Sequence, residues 1–212
     1  MQNLSKEQKY KLVEADYAGV HDWYDKTFDT AIDYAEQLND FISTIPADAK
    51  VLDIGSGPGK EAAVISQKAE VIALDQSPDM IEKINQRYPQ VETVLGDMRQ
   101  MPFADEEFDS IWSCSSIIHI VQEDLDQTLQ EYSRVLKPEG VIGLTFIAPK
   151  DNSEHVEEFI PEEPPNQHLT YYRNLYSADF MKARLERTGF KVLKTEQFDK
   201  YGDQYIYMRL QK

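Results

Sequence analysis

Three glycines at alternate positions, preceded by an acid inside an apolar run and followed by two acids further down the chain, are the residues here that could do chemistry. The stretch reads Val51-Leu52-Asp53-Ile54-Gly55-Ser56-Gly57-Pro58-Gly59, and a helix-forming segment follows at Lys60. That order predicts a buried strand, a tight turn and a helix start. Glycines in one turn let the backbone take positive φ and let a ligand lie against bare peptide. Such a turn by itself is also found in ordinary strand-to-helix connections. Asp75 stands 20 positions after Gly55 at the end of a second apolar run, where a carboxylate can accept two hydrogen bonds from a vicinal diol. Gly96-Asp97-Met98 follows a third run and pairs a carboxylate with an apolar side chain, which suits the amino edge and flat face of a purine. Ser113-Cys114-Ser115-Ser116 follows a fourth, placing small polar residues where a pocket floor would lie.

The elements that must position these groups alternate. Strands are predicted at 50–54, 71–75, 91–95, 108–113, 141–147, 190–195 and 204–210, with helices at 61–68, 77–88, 125–136 and 177–188. Ser77-Pro78-Asp79 has the form of a helix start, with a capping serine, a first-turn proline and an acid at the positive helix end. Residues 1–45 read as helical, with Ala31, Ala35, Leu38, Phe41, Ile42 and Ile45 on one face. Residues 149–168, with four prolines and a run of acids, read as a loop or lid. Alternation of this kind implies an α/β fold with a mostly parallel sheet, helices on both faces and right-handed crossovers. The final strand alternates polar and apolar residues and is expected to run antiparallel beside its sequence neighbour. The four features then fall at successive strand ends, where open α/β sheets bind ligands.

At 212 residues the chain suits one domain. Its net charge of −16 repels phosphate backbones, so nucleic acid is not an expected partner. No apolar run reaches the length that spans a bilayer, the first residues lack a signal-peptide core, and Cys114 is the single cysteine. A soluble cytoplasmic protein with no membrane partner is the expectation. No spacing of His and acids suggests a metal site.

Taken together, these motifs resemble the class I S-adenosylmethionine-dependent methyltransferases of the small-molecule type. The resemblance rests on Leu52–Gly59, on Ala73-Leu74-Asp75-Gln76-Ser77-Pro78-Asp79-Met80, on Gly96-Asp97-Met98 with Met101-Pro102-Phe103, on Phe108-Asp109-Ser110-Ile111, and on Arg134-Val135-Leu136-Lys137-Pro138-Glu139-Gly140. It is strong over residues 45–147 and holds only in outline over 175–212. It implies a Rossmann-like, seven-stranded sheet with the last strand antiparallel. It implies one domain over 1–212, made of an N-terminal lid region (1–45), a cofactor-binding core (46–147), an insertion or substrate cap (148–176), and a C-terminal helix with two strands (177–212). By the same resemblance Gly55, Ser56, Gly57 and Gly59 pass under the cofactor and Asp53 helps hold its amino-acid part. Asp75 takes the ribose hydroxyls, Gln76 and Met80 lie near ribose and adenine, Asp97 and Met98 flank the adenine, and Ser113 and Cys114 lie near the methionine part.

Two other readings use the same residues. Dinucleotide binding needs a third small residue at position 60, where the chain has Lys60, and Gly59 falls one place early. A protein that keeps the cofactor fold but acts only by binding is also compatible with the sequence. If the chain is an enzyme, catalysis is mainly positioning of acceptor, methyl and sulfur in line and away from water. The acceptor is expected to be a small molecule. Candidate contacts are Tyr17 and Tyr24-Asp25 in the N-terminal aromatic segment, His119, and Tyr171 and Arg173 in the insertion, with Arg173 suited to an anionic substrate group. His119 is the candidate base, although its apolar neighbours equally suit a packed histidine. No Asn-Pro-Pro-Tyr type sequence of amino-group DNA methylation is present.

Overall fold

The structure, a computed structural model, describes residues 4–19, 34–151, 153–161 and 170–212. Nine strands run β1 (Lys50–Ile54), β2 (Glu70–Asp75), β3 (Glu92–Leu95), β4 (Phe108–Cys114), β5 (Leu136–Ala148), β6 (His155–Pro161), β7 (Thr170–Tyr176), β8 (Lys191–Lys200) and β9 (Asp203–Gln211). The helices are α1 (Lys6–Gly19), α2 (Ala35–Thr44), α3 (Lys60–Ile65), α4 (Pro78–Arg87), α5 (Gln122–Val135) and α6 (Ala178–Arg187), with a 3₁₀ turn at Ile117–His119. Seven strands form one sheet in the order β3-β2-β1-β4-β5-β9-β8. β1 through β5 pair in parallel, and β9 runs antiparallel to both β5 and β8. The expected sheet, with its antiparallel last strand, is the one formed.

Each inner strand sends alternate side chains to opposite layers. Leu52, Ile54, Ile72 and Leu74 enter one core with α5 and α6, whereas Val51, Val71, Ala73 and Trp112 enter the other with α2, α3 and α4. Ser77 caps α4 by accepting from the Met80 N–H, and Ser177 caps α6 by accepting from Phe180 N–H. α2 is held from outside the core as well. Asp40 accepts from Lys194, from the Tyr207 hydroxyl at 2.8 Å and from Arg209 at 2.9 Å, so three side chains of β8 and β9 fix one carboxylate. No helix among the described residues is long and apolar enough to cross a membrane.

The segment expected as a loop behaves differently. Residues 155–161 form β6, which pairs antiparallel with β7 from His155↔Tyr176 to Pro161↔Thr170. This ribbon is fastened to the 3₁₀ turn. Asn174 donates to the carbonyls of Ile118 (3.2 Å) and Ile120 (2.9 Å), and the Tyr176 hydroxyl donates to Ile120 at 3.1 Å. The prolines and acids that mark a loop leave a two-stranded ribbon intact because it hydrogen-bonds along only one edge of each strand. Within the stretch 1–45 that reads as helical, α1 and α2 form, and residues 1–3 and 20–33 lie outside the described residues. The expected aromatic lid around Tyr24, Asp25 and Phe28, and the tip with His168, lie outside the described residues, as do the side chains of Tyr17 and Tyr171.

Trp112 is fully buried between Phe41, at 5.2 Å between ring centroids, and Tyr207, at 6.3 Å. It rests on Gly143, where an added Cβ would lie 2.5 Å from the indole and 3.0 Å from Phe41. Gly143→Ala is therefore expected to destabilise the fold by about 1–3 kcal/mol through overpacking. Urea unfolding should show a lower midpoint with an unchanged denaturant slope.

Candidate functional site

The glycine turn sits at the C-terminal end of β1, between β2 and β4. It is tied to β2 by its own backbone: the N–H groups of Gly55 and Ser56 both donate to the Leu74 carbonyl, at 2.8 and 3.1 Å. The Gly57 N–H donates to Asp75 Oδ2 at 2.8 Å, and that of Gly59 to the Ser56 carbonyl at 3.0 Å. Gly55 has φ +66°, and an added Cβ would lie 2.4 Å from the Ser116 Cβ, so a side chain is excluded twice over. Gly57 has φ +51° and only open space where a Cβ would be. The turn thus presents bare peptide to the outside, and its donors are already engaged.

The acids around it set the electrostatics. Asp53 is buried inside β1; it accepts from the Ala62 N–H, and its Oδ2 has no hydrogen-bond partner among the described residues. Burial first, then the charges of Glu61 and Asp75, push its carboxyl well above the ordinary carboxylate range. Asp75 is raised as well, by burial, against the hydrogen bonds from the Ser77, Gly57 and Gln76 N–H groups. Three acids against one turn whose N–H groups are taken form a poor seat for a pyrophosphate and a good one for a cation. The dinucleotide reading fails on this charge pattern as well as on Lys60. A ligand with an ammonium and a sulfonium, a ribose diol and a purine fits what is present. One Asp53 oxygen has no partner among the described residues, open space lies over Gly57, and Leu95, 56% exposed at the end of β3, offers an apolar face.

Below the turn, Ser113, Ser116 and Tyr132 form a closed hydroxyl network. Ser113 Oγ lies 2.9 Å from Ser116 Oγ and 3.1 Å from the Tyr132 hydroxyl, which in turn donates to Met98 Sδ at 3.6 Å. A Cβ on Gly55 would also lie 3.4 Å from the methyl carbon of Met98, so Met98 reaches the turn from the β3 side. Ser113, buried and engaged with Ser116 and Tyr132, supports the floor rather than facing a ligand. Cys114 packs against both core layers and accepts from Thr145, and its thiol is pushed up by burial and by Glu61.

Residues 51–140 match the family model of the methyltransferase domain. Over that stretch the chain matches a methyltransferase domain. Among curated relatives, methyltransferase GfsG of Streptomyces halstedii is 32% identical over 75% of the chain, which spans 58% of that relative. The Burkholderia thailandensis 1,6-didemethyltoxoflavin N1-methyltransferase, solved with its substrate and S-adenosylhomocysteine, superposes with a TM-score of 0.80 at 16% identity, over 100% of this chain and 92% of its own. The [4+2]-cyclase SpnF superposes with a TM-score of 0.74 at 17% identity, over 99% and 97%. At these identities the two structures share the fold.

Among the expected site residues, the structure brings Asp53, Gly55, Ser56, Gly57, Asp75 and Met98 together around the turn. Gly59 is in the turn with φ +82°, but an added Cβ would meet Ile84, so it serves helix packing. Gln76 is exposed beside Asp75. Met80 is fully buried. Asp97 is bound by Arg99 through Nε at 3.0 and 2.9 Å and Nη2 at 2.5 Å. Arg173 corrects an expectation. Its guanidinium is held between Glu158 at 2.7 Å and Asp203 at 2.6 Å, so its charge is spent on the protein. His119 is buried, with Nδ1 at 3.4 Å from the Tyr172 carbonyl, and burial lowers its pKa to about 4. It is neutral at physiological pH.

Several residues went unread in the sequence. Glu61, an acid two places beyond Gly59 in the first turn of α3, was legible as a helix-start charge. Tyr34, whose hydroxyl meets Ser115 Oγ at 3.2 Å beside Phe198 and Tyr205, carried no local signal. Two open clefts flank the floor: one of about 230 Å³ between Pro149, Val156, Leu175 and Asp203, the other of about 360 Å³ between α1 and Arg99. Neither contains the glycine turn.

Two outcomes follow from the acids. A cation near Asp53 favours its ionised form, which burial disfavours, so S-adenosylhomocysteine should release protons on binding. In the free protein the raised pKa has the opposite linkage. Stability is fully present below the unfolded carboxyl value of about 3.9 and declines as pH rises towards the folded value. Calorimetry in buffers of different ionisation enthalpy should show the release, and Asp53→Asn should diminish it; buffer-independent heats in the native protein would contradict the assignment. Asp75→Ala should weaken S-adenosylhomocysteine binding by about 1.5–3 kcal/mol. Because Asp75 also accepts from Gly57 and Ser77, thermal unfolding should show a parallel loss of about 1–3 kcal/mol, a cost that its strand-end place in the sequence does not disclose.

Proposed function

We propose that this protein transfers the methyl group of S-adenosylmethionine to a small-molecule acceptor. The observation that carries the reading is the orphaned, fully buried Asp53 carboxylate beside a bare glycine turn, with Asp75 and Glu61 near it. The cofactor supplies an electrophilic methyl on a sulfonium, so the protein's task is to hold and enclose the reactants. In this reading Asp53 faces the amino-acid end of the cofactor, Asp75 the ribose, and Asp97, Met98 and Leu95 the adenine end. Ser113, Ser116 and Tyr132 keep the floor rigid. The unit spans 1–212, with residues 46–147 as cofactor core and 148–176 as cap.

The acceptor side is assigned to the space between the 3₁₀ turn, the β6–β7 ribbon and the rings of Tyr34, Phe198 and Tyr205. Phe198 and Tyr205 stack at 5.7 Å, and Tyr34 meets both rings. Aromatic walls of this kind suit a flat or largely apolar acceptor. His119, neutral and held by a backbone carbonyl, is placed as a wall and positioning group. An acidic chain with one cysteine is in keeping with a cytoplasmic setting and a small-molecule, rather than nucleic-acid, partner.

The reaction is tested by offering S-adenosylmethionine with a panel of hydroxylated and N-heterocyclic aromatic acceptors and measuring S-adenosylhomocysteine release. Acceptor-dependent release that Asp75→Ala reduces at least about tenfold is expected. Tight binding of S-adenosylmethionine with no turnover across the panel, or conversion of an acceptor without S-adenosylhomocysteine, would favour a binding role or a different reaction on the same fold.

A further inference from the structure

The hydroxyl chain under the glycine turn has a direction, and Met98 sets it. A thioether sulfur carries no proton and can only accept. The Tyr132 hydroxyl donates to Met98 Sδ at 3.6 Å. Its single proton is then committed, so at the 3.1 Å contact with Ser113 it accepts and Ser113 Oγ donates. Ser113 has spent its own proton in turn, so at the 2.9 Å contact with Ser116 it accepts and Ser116 Oγ donates. The chain therefore runs from Ser116 through Ser113 and Tyr132 to Met98. It can reverse only if Tyr132 lets go of the sulfur.

Both ends of the chain meet the same point of the backbone. A Cβ on Gly55 would lie 2.4 Å from Ser116 Cβ and 3.1 Å from its Oγ at one end, and 3.4 Å from the Met98 methyl carbon at the other. Ser113, Ser116 and Tyr132 are buried, whereas Met98 is half-buried where β3 gives way to the next turn. A methionine side chain has several rotatable bonds and adapts to what surrounds it, so by itself it offers a ligand no fixed face. The Tyr132 proton removes that freedom at the sulfur. Burial pushes the Tyr132 pKa up to about 12, against its bonds to Ser113 and Ser116, so the hydroxyl keeps the proton that it gives to Met98.

We infer that Tyr132 is a positioning residue for the cofactor: its hydroxyl pins the Met98 side chain beside the glycine turn, so that turn and methionine form one preset surface for the ligand. Tyr132 does not touch the ligand and acts through Met98. The inference rests on the reading of the glycine turn as the S-adenosylmethionine site, and it adds to that site a residue from the middle of the sequence of α5.

Calorimetry with S-adenosylhomocysteine on the native protein, Tyr132→Phe, Met98→Leu and the double variant tests it. Phenylalanine keeps the ring, and leucine keeps most of the volume without the sulfur. Tyr132→Phe should weaken binding about three- to tenfold, the range for one hydrogen bond. In the Met98→Leu background the same change should cost less than about twofold, because no sulfur is left to hold. Thermal unfolding run in parallel reads the structural cost separately. If the two single losses simply multiply in the double variant, Tyr132 does not act through Met98 and the inference is overturned. It is overturned as well if Tyr132→Phe melts lower but binds as tightly as the native protein, which would make Tyr132 a merely structural residue. If the native protein fails to bind S-adenosylhomocysteine, the cofactor reading itself falls and takes the inference with it; tight native binding with multiplying losses spares that reading. Should Tyr132→Phe fail to fold, Met98→Leu decides: a loss of at least about threefold supports the inference, and an unchanged affinity overturns it.

Discussion

A carboxylate inside a central strand of a parallel sheet costs several kcal/mol when ionised unless a cation or several donors meet it. Asp53 is in that position in β1, with one oxygen satisfied by a backbone N–H and the other unpartnered among the described residues. Neighbouring elements bring further acids to the same place. β2 ends on Asp75, α3 opens with Glu61, and the glycine turn lies among them with its N–H groups already bonded. Nothing in that arrangement favours an anion. The strand order explains why it forms at β1. Chain direction out of the sheet reverses between β1 and β4, and the crevice opened at such a switch point receives the turn from one side and Ser116 from the other.

The enclosing elements are built separately from the sheet and joined to it by polar contacts. α1 buries Val13 against Val121 and Tyr172, but most of its attachment is electrostatic: Lys6 and Tyr10 to Asp124, Lys9 to Glu157 on β6. Glu157 also accepts from the Tyr172 hydroxyl on β7 at 2.8 Å. One helix therefore bridges the Arg99–Asp97 pair and the β6–β7 ribbon. Contacts of this kind desolvate less apolar surface than the Trp112 core, and a segment held by them opens at lower free energy than the sheet does. That difference suits an enclosure that must admit two ligands over a fold that stays closed.

The sheet and the cofactor end were legible in the sequence because their signals are local. An apolar run, a positive-φ turn and a capping Ser-Pro-Asp each lie within a few residues, and the fold repeats them in register. Arg173 shows where local reading stops. It looks like an anion-binding residue until β6 pairs with β7 and brings Glu158 opposite it, and β9 supplies Asp203 30 positions later. The prolines that suggested a loop at 149–168 sit beside a period-two pattern in which Tyr172, Asn174 and Tyr176 share the face turned to the 3₁₀ turn. Proline was the stronger sign, yet tertiary anchoring overrode it. The residue missed at the site, Tyr34, gains its role only from contacts across elements.

His119 shows how the two halves of the protein divide the work. It stands one turn past β4, next to the cofactor floor, but its ring is tied to the ribbon through the Tyr172 carbonyl. Burial holds it neutral, and taking up a proton there would place a new charge where the nearby Arg173 already disfavours one. A base that must become a cation during turnover is badly served by that setting. A neutral imidazole that fills space and fixes the distance between floor and ribbon is well served by it. Under the proposed function, the charge that the reaction requires is carried by the cofactor, and the buried carboxylates beside the turn are the groups that would answer it. Acceptor chemistry is thus left to shape and aromatic contact on the ribbon side, and cofactor chemistry to acids at the strand ends. The ribbon can therefore change its side chains without disturbing the charge balance that the sheet was built to hold.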